Sequence, residues 1–184
     1  IIRNERNQGV YHQWVRGIAE ANGELVWIAE SDDDCSPRLL ETLVPTLVNS
    51  NVVLAYAQST QIDDQGHEIA TDYLGWTDDV HRTKWRQPYV RHGVEEIRDS
   101  LVIKNTIPNV SAVLMRKPNL APIESELLAL RNAGDWLVYV HLLERGDLAF
   151  VPESLNYHRR HGGSLTIGRG GLNLMRETLL LQRR

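Results

Sequence analysis

A five-residue apolar run that ends in acid constrains the fold most. Leu25-Val26-Trp27-Ile28-Ala29 is followed at once by Glu30-Ser31-Asp32-Asp33-Asp34, and then by Ser36-Pro37. A short continuous apolar run fits a strand buried on both faces, as in a parallel sheet with helices on each side. Ser36 suits an N-cap and Pro37 the first helical position, so a helix is expected from there to about Val48, bent at Pro45. Upstream, Val10, Trp14, Ile18 and Ala21 recur at spacings of three and four. They predict a helix over 10–22, closed by a left-handed cap at Asn22-Gly23. Helix, strand, acidic turn, helix is the order of a layered α/β fold.

Further along, strands are predicted at 52–58, 110–116 and 148–151, the last stopped by Pro152. Helices are predicted over 94–105, 122–132, 135–145 and 172–184. Asp63-Asp64-Gln65-Gly66 marks a turn. Residues 72–93, rich in Trp, Tyr, Asp, His and Arg, read as a long loop or short irregular pieces. With 184 residues, 42% of them hydrophobic, the chain can bury the core of one domain. A net charge of −4 argues against a general nucleic-acid binder. A single cysteine, Cys35, excludes an intrachain disulfide framework and fits a reducing compartment. No apolar run approaches the roughly 20 residues that span a bilayer, and no signal peptide is visible.

Three consecutive aspartates at the end of a buried strand repel one another in a partly desolvated place. A divalent cation relieves that. Mg²⁺ and Mn²⁺ take hard oxygen ligands and bridge carboxylates to phosphates. The site beyond the carboxyl end of a strand is also where open α/β sheets bind ligands. The competing reading is a solvated turn whose acids favour the N-terminus of the next helix.

Asn7-Gln8-Gly9, Gly17-Ile18-Ala19, Ala21-Asn22-Gly23-Glu24, the run from Val26 to Asp33, and Pro37 together resemble family 2 glycosyltransferases. That family has the GT-A fold and uses nucleotide-diphosphate sugars. The resemblance implies an α/β fold with a mixed, mainly parallel sheet flanked by helices. It implies one partial domain: 1–60 on the metal and donor side, 61–170 for the acceptor side and closing loop, and 171–184 as a terminal helix. Glu30 stands where the family has its first Asp. Asp32 is implied on the donor's ribose side, Asp33 at Mn²⁺ or Mg²⁺, and Asp34 as a bystander.

In Ala133-Gly134-Asp135-Trp136, the resemblance places Asp135 as the base beneath the acceptor hydroxyl, with Gly134 where the family often has Glu. Such a base removes the hydroxyl proton as the oxygen attacks the anomeric carbon. A single base without a protein nucleophile implies inversion, by analogy with inverting glycosidases. Alternatively, Asp135 caps its helix, whose dipole would lower its pKa. Residues 156–166 resemble the family's closing loop. His161 is there the metal- or phosphate-contacting histidine, and Arg159 and Arg160 are equal candidates for the donor diphosphate. Residues 107–112 resemble the acceptor cradle of bacterial surface-polysaccharide enzymes. Asn109 and Ser111 would bind sugar hydroxyls there, and Trp76, Trp85 and Trp136 would offer flat faces.

The implied activity is transfer of a sugar from a nucleotide-diphosphate donor, UDP being the commonest, to a glycan or lipid-linked acceptor. The setting is cell-surface polysaccharide or glycoprotein assembly, in the cytoplasm or at the inner face of the membrane. A non-catalytic sugar- or nucleotide-binding relic and a metal-dependent phosphoesterase are the alternatives. The opening Ile1-Ile2-Arg3-Asn4, without an initiator Met, reads as the tail of a strand. The expectation is therefore a segment lacking the family's nucleotide-binding strands, inactive in isolation, with an exposed sheet edge open to homodimerisation.

Overall fold

The computed structural model describes residues 3–160 and 171–183. Ile1 and Ile2, His161 and the remainder of the expected closing loop to Thr166 lie outside them. Helix α1 (Val10–Glu20) buries Trp14 and Ile18 of the predicted stripe and, beside them, Tyr11, while Val10 and Ala21 are half-buried. It ends in extended backbone at Ala21. The left-handed cap expected at Gly23 does not form, since the only positive-φ residues described are Gly9 and Gly66. Strand β1 (Leu25–Trp27) then enters the acidic turn. A two-residue strand β2 (Asp34–Cys35) follows, then α2 (Arg38–Leu43) and a 3₁₀ turn, Val44–Leu47, that bends at Pro45. Ser36 Oγ accepts from the Arg38 N–H at 3.2 Å, so Ser36 caps as expected.

β3 (Val52–Ile62) is longer than predicted, and it turns at Gly66, φ 89°, into β4 (Glu68–Ala70). Residues 72–93 resolve into short pieces: α3 (Leu74–Thr77), a 3₁₀ turn at Lys84–Arg86 and β5 (Tyr89–Arg91). α4 (Gly93–Glu96) runs into a π turn, Ile97–Leu101. A 3₁₀ turn, Val110–Ala112, leads into β6 (Val113–Arg116). The chain continues through α5 (Glu124–Ala129), α6 (Gly134–Leu143), β7 (Asp147–Arg159) and α7 (Gly171–Gln182).

Among the described residues the strands form one sheet in the order β1-β6-β3-β7-β2, with β4 beside β3 and β5 beside β7. The sheet is mixed, but not mainly parallel as expected. β3 and β7 form a long parallel pair, while β1–β6, β3–β6, β3–β4, β5–β7 and β2–β7 are antiparallel. β1, the expected doubly buried strand, ends the described sheet order and buries only Val26, with Leu25 and Trp27 half-buried; an apolar run does not specify strand direction. β7 also continues past Pro152. Val151 pairs with Ala57 and Ser154 with Gln58, so Pro152 and Glu153 fall in a bulge, where a missing N–H breaks no ladder bond. The extension carries His158 and Arg159 to the acidic turn.

Both faces of the sheet are covered. Leu54, Tyr56, Val113, Met115, Leu148 and Phe150 face the larger core with α1, α5 and α6. Ala55, Ala57, Leu114 and Ala149 alternate to the other face, under Leu39 and Leu43 of α2. Fully burying a leucine such as Leu54 or Leu148 contributes about 2 kcal/mol. The rigid double-faced sheet fixes where β1, β6 and β7 end, and that is where the acids converge.

Candidate active site

The acidic turn is bound on three sides. Asp33 Oδ2 accepts from Asn109 Nδ2 at 2.8 Å and from Ser111 Oγ at 2.6 Å, and its Oδ1 accepts from the Arg159 N–H at 2.9 Å. Ser111 Oγ in turn accepts from the Glu30 N–H, and Trp27 Nε1 donates to the Ser111 carbonyl. Asn156, fully buried on β7, donates through Nδ2 to Asn109 Oδ1 and to Ser59 Oγ, both at 3.0 Å. The Arg159 side chain donates to the carbonyls of Asp32 and Asp63. The end of β1, the turn before β6 and the end of β7 thus hold one turn, although β3 lies between β6 and β7 in the sheet.

This corrects two expectations. Asn109 and Ser111 are 7% and 2% exposed and committed to Asp33, so they brace the turn and are not open donors for a sugar. Arg159 likewise grips the turn, whereas Arg160 lines a cleft. Asp34 sits in β2, paired with Tyr157, its carboxylate accepting from the Cys35 N–H. That is a local role consistent with a bystander.

The cleft, of about 330 Å³, lies beside the turn and holds Asp135, with Tyr73, Trp76, Lys104, Arg160 and Leu174 among its walls. Asp135 is the second residue of α6, half-buried, and accepts from Asn105 Nδ2 at 3.0 Å. Its carboxyl is pushed up to about 6. Desolvation dominates, opposed by backbone N–H groups of the helix start and by Asn105, and reinforced by the Glu30 carboxylate. The expected lowering by the helix dipole is outweighed by burial. Glu30 is itself raised, by burial first and then by Asp32 and Asp33. The chain just before α6 is held by Glu177 of α7, which accepts from the N–H groups of Arg131, Asn132 and Ala133 at 2.8–3.0 Å. Asp135 lies inside the first turn of α6, and its carboxylate still accepts from the Trp136 backbone N–H.

Gly134 has a separate reason to be glycine. Its N–H donates to Tyr11 Oη at 2.8 Å, and a Cβ there would meet the Tyr11 ring at 2.5–2.7 Å. Burial, with the neighbouring Asp135 carboxylate second, raises the Tyr11 hydroxyl, so it stays protonated.

The family profile described as Glycosyl transferase family 2 matches residues 1–108, more than half of the chain. The chain belongs to glycosyltransferase family 2. No curated protein matches it. Family membership and the sheet together give an α/β fold of GT-A type, and the general activity is glycosyl transfer. The matched segment contains the acidic turn and Asn105, while Asp135, Asn156 and the arginines lie beyond it.

Family 2 glycosyltransferases commonly use divalent metals. Among the described residues no three His, Cys, Asp or Glu side chains gather as a protein-only cage. Both lone-pair positions of Asp33 Oδ2 are occupied by hydrogen bonds and Oδ1 keeps one. Asp33 and the adjacent, exposed Asp32 therefore suit an ion held by one or two carboxylates and completed by phosphate oxygens, the usual Mg²⁺ arrangement. His161, expected with Asp33 at the metal or the phosphate, lies outside the described residues.

Of the three tryptophans, Trp85 is core, its Nε1 donating to Tyr56 Oη. Trp136 is 4% exposed and contributes to the cleft wall from within the core. Trp76 is 46% exposed at the cleft. Sequence reasoning missed Asn105, Tyr11 and Glu177 altogether. None lies in a motif, and each reaches the site across at least 30 residues of chain.

Proposed function

We propose that this glycosyltransferase moves a sugar from a nucleotide-diphosphate donor, most plainly a UDP-sugar, to a glycan or lipid-linked acceptor, with inversion and with a divalent metal. The supporting observation is the pairing of a braced acidic turn with a half-buried carboxylate of raised pKa in the adjoining cleft. Asp135 is the base. A carboxyl titrating near 6 is ionised at neutral pH, yet basic enough to accept the acceptor's proton as the new bond forms. Asp32 and Asp33 would hold the metal, which supplies positive charge to the leaving diphosphate. Arg160 aids the diphosphate from the cleft side. Trp76 presents a flat face to the acceptor sugar. Residues 1–60 serve the donor, 61–170 the acceptor, and α7 closes the cleft.

The setting proposed is cell-surface polysaccharide or glycoprotein assembly on the cytoplasmic side, at the membrane where the acceptor is lipid-linked. No described helix is long and apolar enough to cross a membrane.

Calorimetric titration with UDP, GDP and dTDP, each with and without Mn²⁺, tests the donor site. Mn²⁺-dependent binding of one nucleotide, weakened at least tenfold in Asp32→Ala and Arg160→Ala, is expected. Absence of binding by all three nucleotides would refute the donor-site assignment.

A further inference from the structure

Asn105 takes no part in the proposed chemistry, yet among the described residues it is the side-chain amide that donates to Asp135. Its orientation is not arbitrary. Asn105 Oδ1 accepts from the Ile107 N–H at 3.2 Å, so the NH₂ end must be the one that faces Asp135 Oδ2. The loop itself is pinned, because Trp76 Nε1 donates to the Asn105 carbonyl at 2.9 Å. Trp76 is also covered by Lys104, whose Nζ lies 4.1 Å from the ring centroid and pairs with Asp79. A fixed donor aimed at a carboxylate favours its charged form and restricts the directions its oxygens can face.

We propose that Asn105 is a positioning residue for the base: it keeps Asp135 ionised against its burial and turns the carboxylate toward the acceptor cleft. The inference rests on the reading of Asp135 as the base.

The surroundings show why such a donor is needed. The groups facing Asp135 are mostly acidic or neutral. Glu30 after β1 adds negative charge. Tyr11 of α1 and Tyr139 of α6 are both held protonated by burial first. Glu177 of α7 is spent on backbone N–H groups of residues 131–133. The cations of the cleft are engaged elsewhere: Lys104 with Asp79, and Arg160 beside Tyr73. Tyr73 itself is pushed up to about 12, by burial first. After the Trp136 backbone N–H, the Asn105 amide is the contact that most favours the anion, and among the described side chains it is the one that donates to it. Without it, burial and Glu30 would move Asp135 further from ionisation, and the protonated acid cannot take the acceptor's proton.

The test titrates the Asp135 carboxyl carbon by ¹³C NMR in the wild-type chain, in Asn105→Ala, and in Asn105→Leu, which keeps the volume if the alanine variant fails to fold. The expected result is a midpoint raised by about one pH unit in the variants. The acid limb of UDP release from UDP-glucose with Mn²⁺ should rise by the same interval, so that the rate at pH 6.5 falls several-fold more than at pH 8. Asn105→Asp should raise the midpoint further, through a second carboxylate. A midpoint unchanged in both Asn105→Ala and Asn105→Leu overturns the proposal. Asp135→Asn with wild-type UDP release overturns the base reading beneath it, whatever the NMR midpoint does.

Discussion

Replacing Glu177 tests how the helix that carries Asp135 is held. Glu177 is 8% exposed. Its Oε1 accepts from Arg131 N at 3.0 Å and Asn132 Nδ2 at 3.4 Å, and its Oε2 from Asn132 N at 2.8 Å and Ala133 N at 2.9 Å. These are donors at and before the start of α6, which has no cap of its own from Ala133. Glu177→Ala strands three backbone N–H groups. Each hydrogen bond to a charged acceptor contributes about 1.5 kcal/mol or more, but water reaches the half-buried pair, so the loss is set at about 3 kcal/mol. Glu177→Gln keeps one acceptor oxygen and turns an NH₂ toward the others, for a loss of about 1.5 kcal/mol. With a urea m-value of about 2 kcal/mol/M, the midpoint shifts by about 1.5 M and 0.8 M, at unchanged m. Leu180→Ala, on the exposed side of α7, is the control and stays within about 0.5 kcal/mol of wild type. A Glu177→Ala protein within 0.5 kcal/mol of wild type would show that α7 does not hold the chain before α6, and the account of how Asp135 is placed would fall.

Three further outcomes are expected. Gly134→Ala drives a methyl into the Tyr11 ring and costs about 2 kcal/mol; Tyr11→Ala relieves the clash, so the double variant loses less than the sum of the singles in a denaturation cycle. Lys84→Met removes the closer of two cations paired with Glu96, whose side chain is fully buried, and costs about 2 kcal/mol in urea unfolding, because the buried carboxylate then keeps only Arg91 at 3.9 Å; simultaneous Glu96→Leu recovers most of it. Asp135 titrates near 6 when folded and near 4 unfolded, so the folded state binds the extra proton between those values. Stability therefore falls as pH rises from about 4 to 6 and stays lower above. Asp135→Asn lacks this step and is more stable at pH 8 by about 2 kcal/mol; equal pH dependence in the two proteins would refute the assigned shift.

The local elements were legible where the chemistry is local. The buried Trp14 and Ile18, the Ser36-Pro37 helix start and the turn at Gly66 follow from periodicity and from backbone preferences within a few residues. The acidic turn was legible for the same reason, since strand, acids and helix start are consecutive. Pro152 misled because a missing N–H ends a strand only when a ladder bond is due at that position, and here it falls in a bulge. Asn109 and Ser111 misled because their type and place suggested sugar contacts, while their burial against Asp33 was invisible in one dimension.

By itself, then, the sequence determined an α/β chain with an apolar strand that delivers carboxylates to the end of a sheet, and it carried the family resemblance that the profile match establishes. The tertiary structure alone decided strand direction, the different contacts of Arg159 and Arg160, and the setting of Asp135. Each of these depends on groups brought together from distant positions: Asn105, Glu30 and Glu177 around one helix start. A carboxylate's ionisation is set by its desolvation and its neighbours in space. Neighbours in space are fixed by how β1, β6, β7 and α7 pack, which no local pattern encodes.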